Sequence, residues 1–174
     1  MLDPGRYLME KYPLLVQTSV LPGMQQLTLH NNLAHEVLGE LFHNPELRYD
    51  MLTDLFGVDR GATGSHRFEV VYLLTSLRHN RRLSVRLLLK EGETPSTVSD
   101  IWQGANWLER EAYDMFGLAF SDHPDLRRIL LEDDFTGHPL RKDYPTAGDD
   151  FDRPFVVRLE EDHPAGQLAE QVTE

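Results

Sequence analysis

The 174-residue sequence predicts an α+β fold: a small antiparallel or mixed sheet with helices packed on it, followed by a long irregular C-terminal arm. Two apolar, partly β-branched runs, residues 67–78 and 82–90, are joined by the short link His79-Asn80-Arg81, the pattern of a β-hairpin. Ile101, Ala105, Leu108, Ala112 and Met115 recur at spacings of four and three, the stripe of a half-buried helix. Beyond Gly117 the periodicity stops, and Pro124, Gly137, Pro139, Pro145, Gly148 and Pro154 interrupt the chain.

In chain order, residues 4–12 are expected to form a short helix, with Asp3 as its N-cap and Pro13 beyond its end. Residues 24–30 partly alternate, with Leu27 and Leu29 on one face, which predicts a strand. Asn32 can cap a helix running to Phe42, because Leu33, Val37, Leu38 and Leu41 share a face, and Asn44-Pro45 ends it. Residues 49–58 are expected to be extended, since Gly57 and the loop at 61–65 follow closely. Asn80 is suited to the positive φ of a tight hairpin turn. After the break at 92–95, Ser96 or Thr97 is expected to cap a helix over 98–116, bent near Gly104 and ended by Gly117. A late strand over 155–159 completes the list.

Composition narrows the function. Asp and Glu number 29 against 17 Lys and Arg, a formal charge of −12, so the surface repels phosphate backbones and nucleic acid is not an expected partner. With 0 cysteines there can be no disulfide, thiolate nucleophile or cysteine-held iron–sulfur cluster in this chain. No apolar run approaches the ~20 residues of a spanning helix. The N-terminus, with Asp3 and Glu10, lacks the pattern of a secretory signal. A cytoplasmic setting is expected, with membrane contact only through a partner.

The organisation expected is a compact body over 1–117, an extended docking arm over 118–159 and a disordered acidic tail over 160–174. The arm carries Leu118, Phe120, Leu126, Ile129, Leu130, Leu131, Phe135, Leu140, Tyr144, Phe151 and Phe155, too many apolar anchors for a free linker. A second protein covering part of the arm is the simplest way to bury them.

The charged residues offer two kinds of chemistry. Glu111 and Asp114 share a helical face beside Trp107, as metal-binding carboxylates can, but no Glu-x-x-His helix accompanies them. The favoured alternative is structural: Arg110 pairs with Asp114, and Glu111 accepts from an arginine of the arm. His123 and His138 each precede proline and lack a partner at metal-ligand spacing, so imidazoles that satisfy nearby backbone are expected. No nucleophile elbow and no phosphate-binding glycine loop occurs. Arg127, Arg128, Arg141 and Lys142 form a basic concentration suited to docking on an acidic partner.

Glu109-Arg110-Glu111, Asp114, Met115-Phe116, His123, Arg127 and Ile129-Leu130 stand in a fixed order, followed by Gly137-His138-Pro139-Leu140-Arg141-Lys142-Asp143-Tyr144-Pro145. Together they resemble the signature and closing motif of the C subunit of bacterial NADH-quinone oxidoreductase (respiratory complex I), whose mitochondrial counterpart is the 30-kilodalton subunit. Phe135 departs from the larger aromatic expected at its position. The resemblance implies a non-catalytic subunit of the peripheral, quinone-module arm, on the cytoplasmic side of the inner membrane. It implies no cofactor in this chain, with flavin and iron–sulfur clusters in partner subunits. It also implies docking on the D subunit of that complex, with the B and I subunits as further neighbours, and a stand-alone form not fused to the D subunit. The motif positions carried over are Glu109, Arg110, Glu111, Asp114, His123, Arg127, Arg128, His138, Arg141 and Lys142. Two alternatives stand beside this: a homologous subunit of a membrane-bound hydrogenase or other complex-I-like assembly, and a free-standing metal-dependent hydrolase using Glu111, Asp114, His123 and His138.

Overall fold

A computed structural model describes residues 2–13, 17–21, 23–30, 33–62 and 64–145. Residues up to Tyr144 form one compact unit, and of the second unit, from Pro145 on, only Pro145 is described. The elements in order are α1 (Pro4–Lys11), β1 (Gln17–Leu21), β2 (Met24–His30), α2 (Ala34–His43), β3 (Met51–Asp59), β4 (Phe68–Ser76), β5 (Arg81–Leu89) and α3 (Ala105–Phe116). The strands make one five-stranded sheet in the order β1-β2-β5-β4-β3. All neighbours are antiparallel except β2 and β5, which are parallel, so the sheet is mixed as expected.

Local chemistry explains most of these elements. The Asp3 carboxylate accepts from the Arg6 N–H at 2.7 Å, which caps α1 as its sequence implies. Asn80 takes φ +47 in the turn between β4 and β5. β1 was not anticipated. Its register sets Leu21 opposite Met24, with only the Pro-Gly dipeptide of the sequence between them, and Gly23 has φ +76. That dipeptide was the available signal. α2 lacks a side-chain cap at Leu33, and the proposed cap Asn32 lies outside the described residues, as do the strand expected over 155–159 and the tail over 160–174.

One core joins the inward faces. Leu27 and Leu29 of β2, Val70, Tyr72 and Leu74 of β4 and Leu83, Val85, Leu87 and Leu89 of β5 pack with Leu8, Val37, Leu38, Leu41, Ala105 and Ala112 of the helices. α3 lies close on β3: a Cβ at Gly57 would stand 2.7 Å from the Phe116 ring.

Two expectations need correction. The third helix begins at Ala105 rather than 98. Residues 98–104 form turns in which the Ile101 and Trp102 N–H groups both donate to the Val98 carbonyl. The long-range bonds of this stretch fold it back: Val98 N–H and the Thr97 hydroxyl are bound to Glu109, and the Trp102 indole donates to the Tyr49 carbonyl at 3.2 Å. Neither Ser96 nor Thr97 caps the helix; Ser96 instead bridges to Ser121. Burial also continues past Gly117. Leu118 and Phe120 are only 3% and 4% exposed within the chain's own core, so these two do not wait for a neighbouring polypeptide.

Candidate interaction site on the third helix

Asp114, fully buried on α3, organises the arm. One carboxylate oxygen accepts the successive backbone N–H groups of Ile129, Leu130 and Leu131 at 3.0, 2.8 and 2.9 Å, and the other accepts from Arg128 at 2.6 Å. Burial pushes this carboxyl up, but the three N–H donors and the Arg128 guanidinium outweigh it and hold it down at about 2. Arg128 uses its other fork on the carbonyls of Phe135 and Gly137, both at 3.0 Å, and thereby folds the arm on itself. Arg110 donates to the carbonyls of Arg127 and Arg128, with its guanidinium over the Trp107 ring at 4.9 Å. The expected Arg110–Asp114 pair is therefore replaced by an Arg128–Asp114 pair. Glu111 is exposed, and its expected arginine goes to Asp114 one helical turn on.

The closing motif caps the helix. An α-helix leaves its last four carbonyls without intrahelical donors. Here Gly117, in the left-handed region at φ +72, returns its N–H to Tyr113. The His138 ring donates through Nδ1 to the Asp114 carbonyl at 2.9 Å, the Leu140 N–H goes to Met115 at 3.1 Å, and Arg141 Nε to Phe116 at 2.6 Å. All four carbonyls are met, three of them by residues 138–141. Further along, Asp143 pairs with Arg67 at 2.7 Å and the Lys142 N–H donates to Asp59 at 2.9 Å. Arg67 also holds Asp59 and Glu91. Sequence reasoning missed Asp59 and Arg67, and with Asp59 and Lys142 83 positions apart no local pattern could have joined them.

Glu109 and His123 form the second buried group. The Glu109 side chain accepts from Val98 N–H at 2.7 Å and from the Thr97 hydroxyl, with no lysine or arginine among its partners. Burial pushes its carboxyl up to about 7, against those two hydrogen bonds. The His123 ring lies 3.7 Å from it; Nδ1 accepts from the Asp125 N–H, so Nε2 carries the proton and donates to the Asn106 carbonyl at 3.1 Å. Both histidines thus serve backbone. The four side chains weighed as a hydrolase metal set are not gathered, and no group able to hold a metal occurs among the described residues. Arg127 points to solvent with only Asp125, and the Lys142 side chain is exposed.

Large apolar side chains also remain outward. Trp107, Leu130 and Leu140 are 60%, 63% and 53% exposed on the helix and on the arm it fixes.

Residues 27–150 match the family described as "Respiratory-chain NADH dehydrogenase, 30 Kd subunit". The chain is 50% identical over 119 residues to the NADH-quinone oxidoreductase C subunit of Geotalea uraniireducens, covering 68% of this chain and 71% of that one. It is 46% identical over 119 residues to the protein of the same name in Geobacter sulfurreducens, covering 68% and 73%. Among solved structures, a trypsin-resistant fragment of Nqo5 superposes with a TM-score of 0.58 at 33% identity, over 70% of this chain and 98% of the fragment. A chain of an archaeal membrane-bound sulfane sulfur reductase, a respiratory membrane complex, superposes at 0.71 over 91% of this chain and 94% of its own, and at 20% identity that likeness is one of fold alone.

Proposed function

The chain belongs to the 30-kilodalton subunit family of respiratory-chain NADH dehydrogenase, and from that premise we propose that it is the non-catalytic docking subunit of the quinone-module arm, seated on the D subunit. In this role it carries no redox group; flavin and iron–sulfur clusters belong to neighbouring subunits, with the B and I subunits adjoining. It supports electron transfer from NADH to quinone by position, on the cytoplasmic side of the inner membrane. No helix among the described residues is long and apolar enough to cross a membrane, which accords with attachment through partners.

The observation that carries this proposal is the division of labour around α3. Glu109, Arg110, Asp114, Arg128, His138 and Arg141 are consumed inside the chain, and what they hold rigid is a surface bearing exposed Trp107, Leu130 and Leu140. Ordering an apolar surface before contact lowers the entropy lost on association. Buried aromatic and aliphatic anchors carry most of the affinity of such contacts.

The test is a Leu130→Glu/Leu140→Glu variant expressed in place of the native chain. Both side chains are already solvated, so the fold should stand. Recovery of the assembled enzyme should fall while NADH:quinone activity per assembled complex stays at the native level. Full assembly with lost electron transfer would refute the positional role.

A further inference from the structure

Among the described residues the arginines are, with few exceptions, already paired. Arg6, Arg48, Arg60, Arg67, Arg86, Arg127, Arg128 and Arg141 each meet a carboxylate. Arg110 is used on two carbonyls and a ring. The exceptions cluster at one place, the turn between β4 and β5. The side chains of Arg78 and Arg82 are exposed there and make no hydrogen bond or ion pair with a described residue. Arg81 between them is held by the carbonyls of Leu2 at 2.8 Å and Glu46 at 3.5 Å, and its buried Nε has no acceptor.

Three guanidinium groups with no ion-pair partner among the described residues are unexpected in a chain of net charge −12, where carboxylates outnumber bases. The turn also borders a cleft of about 660 Å³, lined by Asp3, Gln25, Tyr49, Asn80, Arg81 and Arg82 among others. Asp3 lines the same cleft, but its carboxylate accepts from the Arg6 N–H and, at 3.3 Å, from the Gln25 amide, and it makes no ion pair with Arg81 or Arg82. Arg81 is pre-set by its two carbonyls, so part of the entropy of fixing a long side chain is lost before any ligand arrives. Guanidinium forks match carboxylates in bidentate geometry.

We propose that the β4–β5 turn, through Arg78, Arg81 and Arg82, is a second docking surface that receives an acidic segment of a neighbouring polypeptide. It uses none of the residues of the α3 site. It rests on the proposed function only in taking the neighbour to be a subunit of the same assembly.

The experiment places a photoreactive amino acid at position 77, which is 66% exposed beside the turn and leaves all three arginines intact, and a second one at position 130 as a separate probe. Both chains are expressed in place of the native one and irradiated in isolated membranes, and adducts are mapped by mass spectrometry. The proposal expects the position-77 adduct on an Asp/Glu-rich segment of a co-purifying subunit. Its yield should fall at least about tenfold in Arg78→Glu/Arg82→Glu, a loss of ~1.4 kcal/mol, and should also fall when salt shortens the Debye length from about 10 Å to about 3 Å. An adduct on phospholipid, an adduct on a segment without acidic residues, no adduct, or a yield indifferent to the double substitution each overturns it. A position-130 adduct without one at position 77 sinks this inference alone; failure of both sinks the subunit reading with it.

Discussion

Glu109 and Asp114 sit five positions apart on the same helix, both fully buried, and their environments push them in opposite directions. Asp114 has four donors including a guanidinium, whereas Glu109 has a backbone N–H and a hydroxyl. For Glu109 the folded carboxyl titrates at about 7 against an ordinary 4.5, so the native state binds more protons than the unfolded state between those values. Its favourable contribution is complete below the lower value and is lost as pH rises through the upper one, on the order of 3 kcal/mol. The full-length chain should therefore lose stability between about pH 5 and 8, and Glu109→Gln should lose distinctly less; parallel thermal-melting profiles would contradict the assignment. Asp114→Ala strands three backbone donors and Arg128, and a broken buried pair costs roughly 3–5 kcal/mol. Urea unfolding should register that loss, and a change under about 1 kcal/mol would show that the arm is held by something else. The sequence singled out both acids through the Glu-Arg-Glu spacing and the resemblance it supports. It could not say which acid meets which base, because Asp114 meets Arg128 from 14 positions away by way of a folded arm.

At the scale of elements, the end of α3 shows how a motif becomes a structural joint. Gly117 combines a left-handed backbone with close packing: an added Cβ would lie 2.7 Å from the His138 ring and 3.0 Å from Arg141. Gly92 shares the positive φ, at +80, but has open space around it. Gly92→Ala should cost about 1–2 kcal/mol, from the backbone conformation alone. Gly117→Ala should exceed it by a further ~1–3 kcal/mol from forcing the His138–Arg141 cap off the helix. Equal losses in the two variants, measured by chemical unfolding, would mean that the cap does not hold the arm. The hairpin of β4 and β5 was legible because apolar periodicity and a turn residue are local properties. The start of α3 was not, because residues 98–104 keep a helical apolar spacing while their hydrogen bonds go to Glu109 and Tyr49. β1 was overlooked for a related reason: Gln17, Thr18 and Ser19 carry no apolar alternation, and their place comes from pairing with β2.

For the whole molecule, carboxylates set the acid limit. Desolvation opposes but does not overcome the donors around Asp59, Glu69 and Asp114, all of which are depressed, Asp114 to about 2. Each lends stability that is present above its ordinary range near 4 and is lost as pH falls toward the folded value. Together with Glu109 this places the stability maximum at about pH 5, above the range in which the depressed carboxylates protonate and below the rise through which Glu109 loses its contribution, and a melting temperature still rising above about pH 7 would contradict it. The family, the mixed α+β class, the hairpin, the Asp3 cap of α1 and the Gly117 end of α3 were determined by the sequence itself, because each is written in residues close together along the chain. Tertiary structure decided the rest: that Leu118 and Phe120 belong to the chain's own core, that Arg128 rather than Arg110 serves Asp114, and that residues 138–141 close the third helix. Those outcomes depend on which of many charged and apolar groups come within a few ångströms after folding, and desolvation makes such encounters decisive only once burial has been settled.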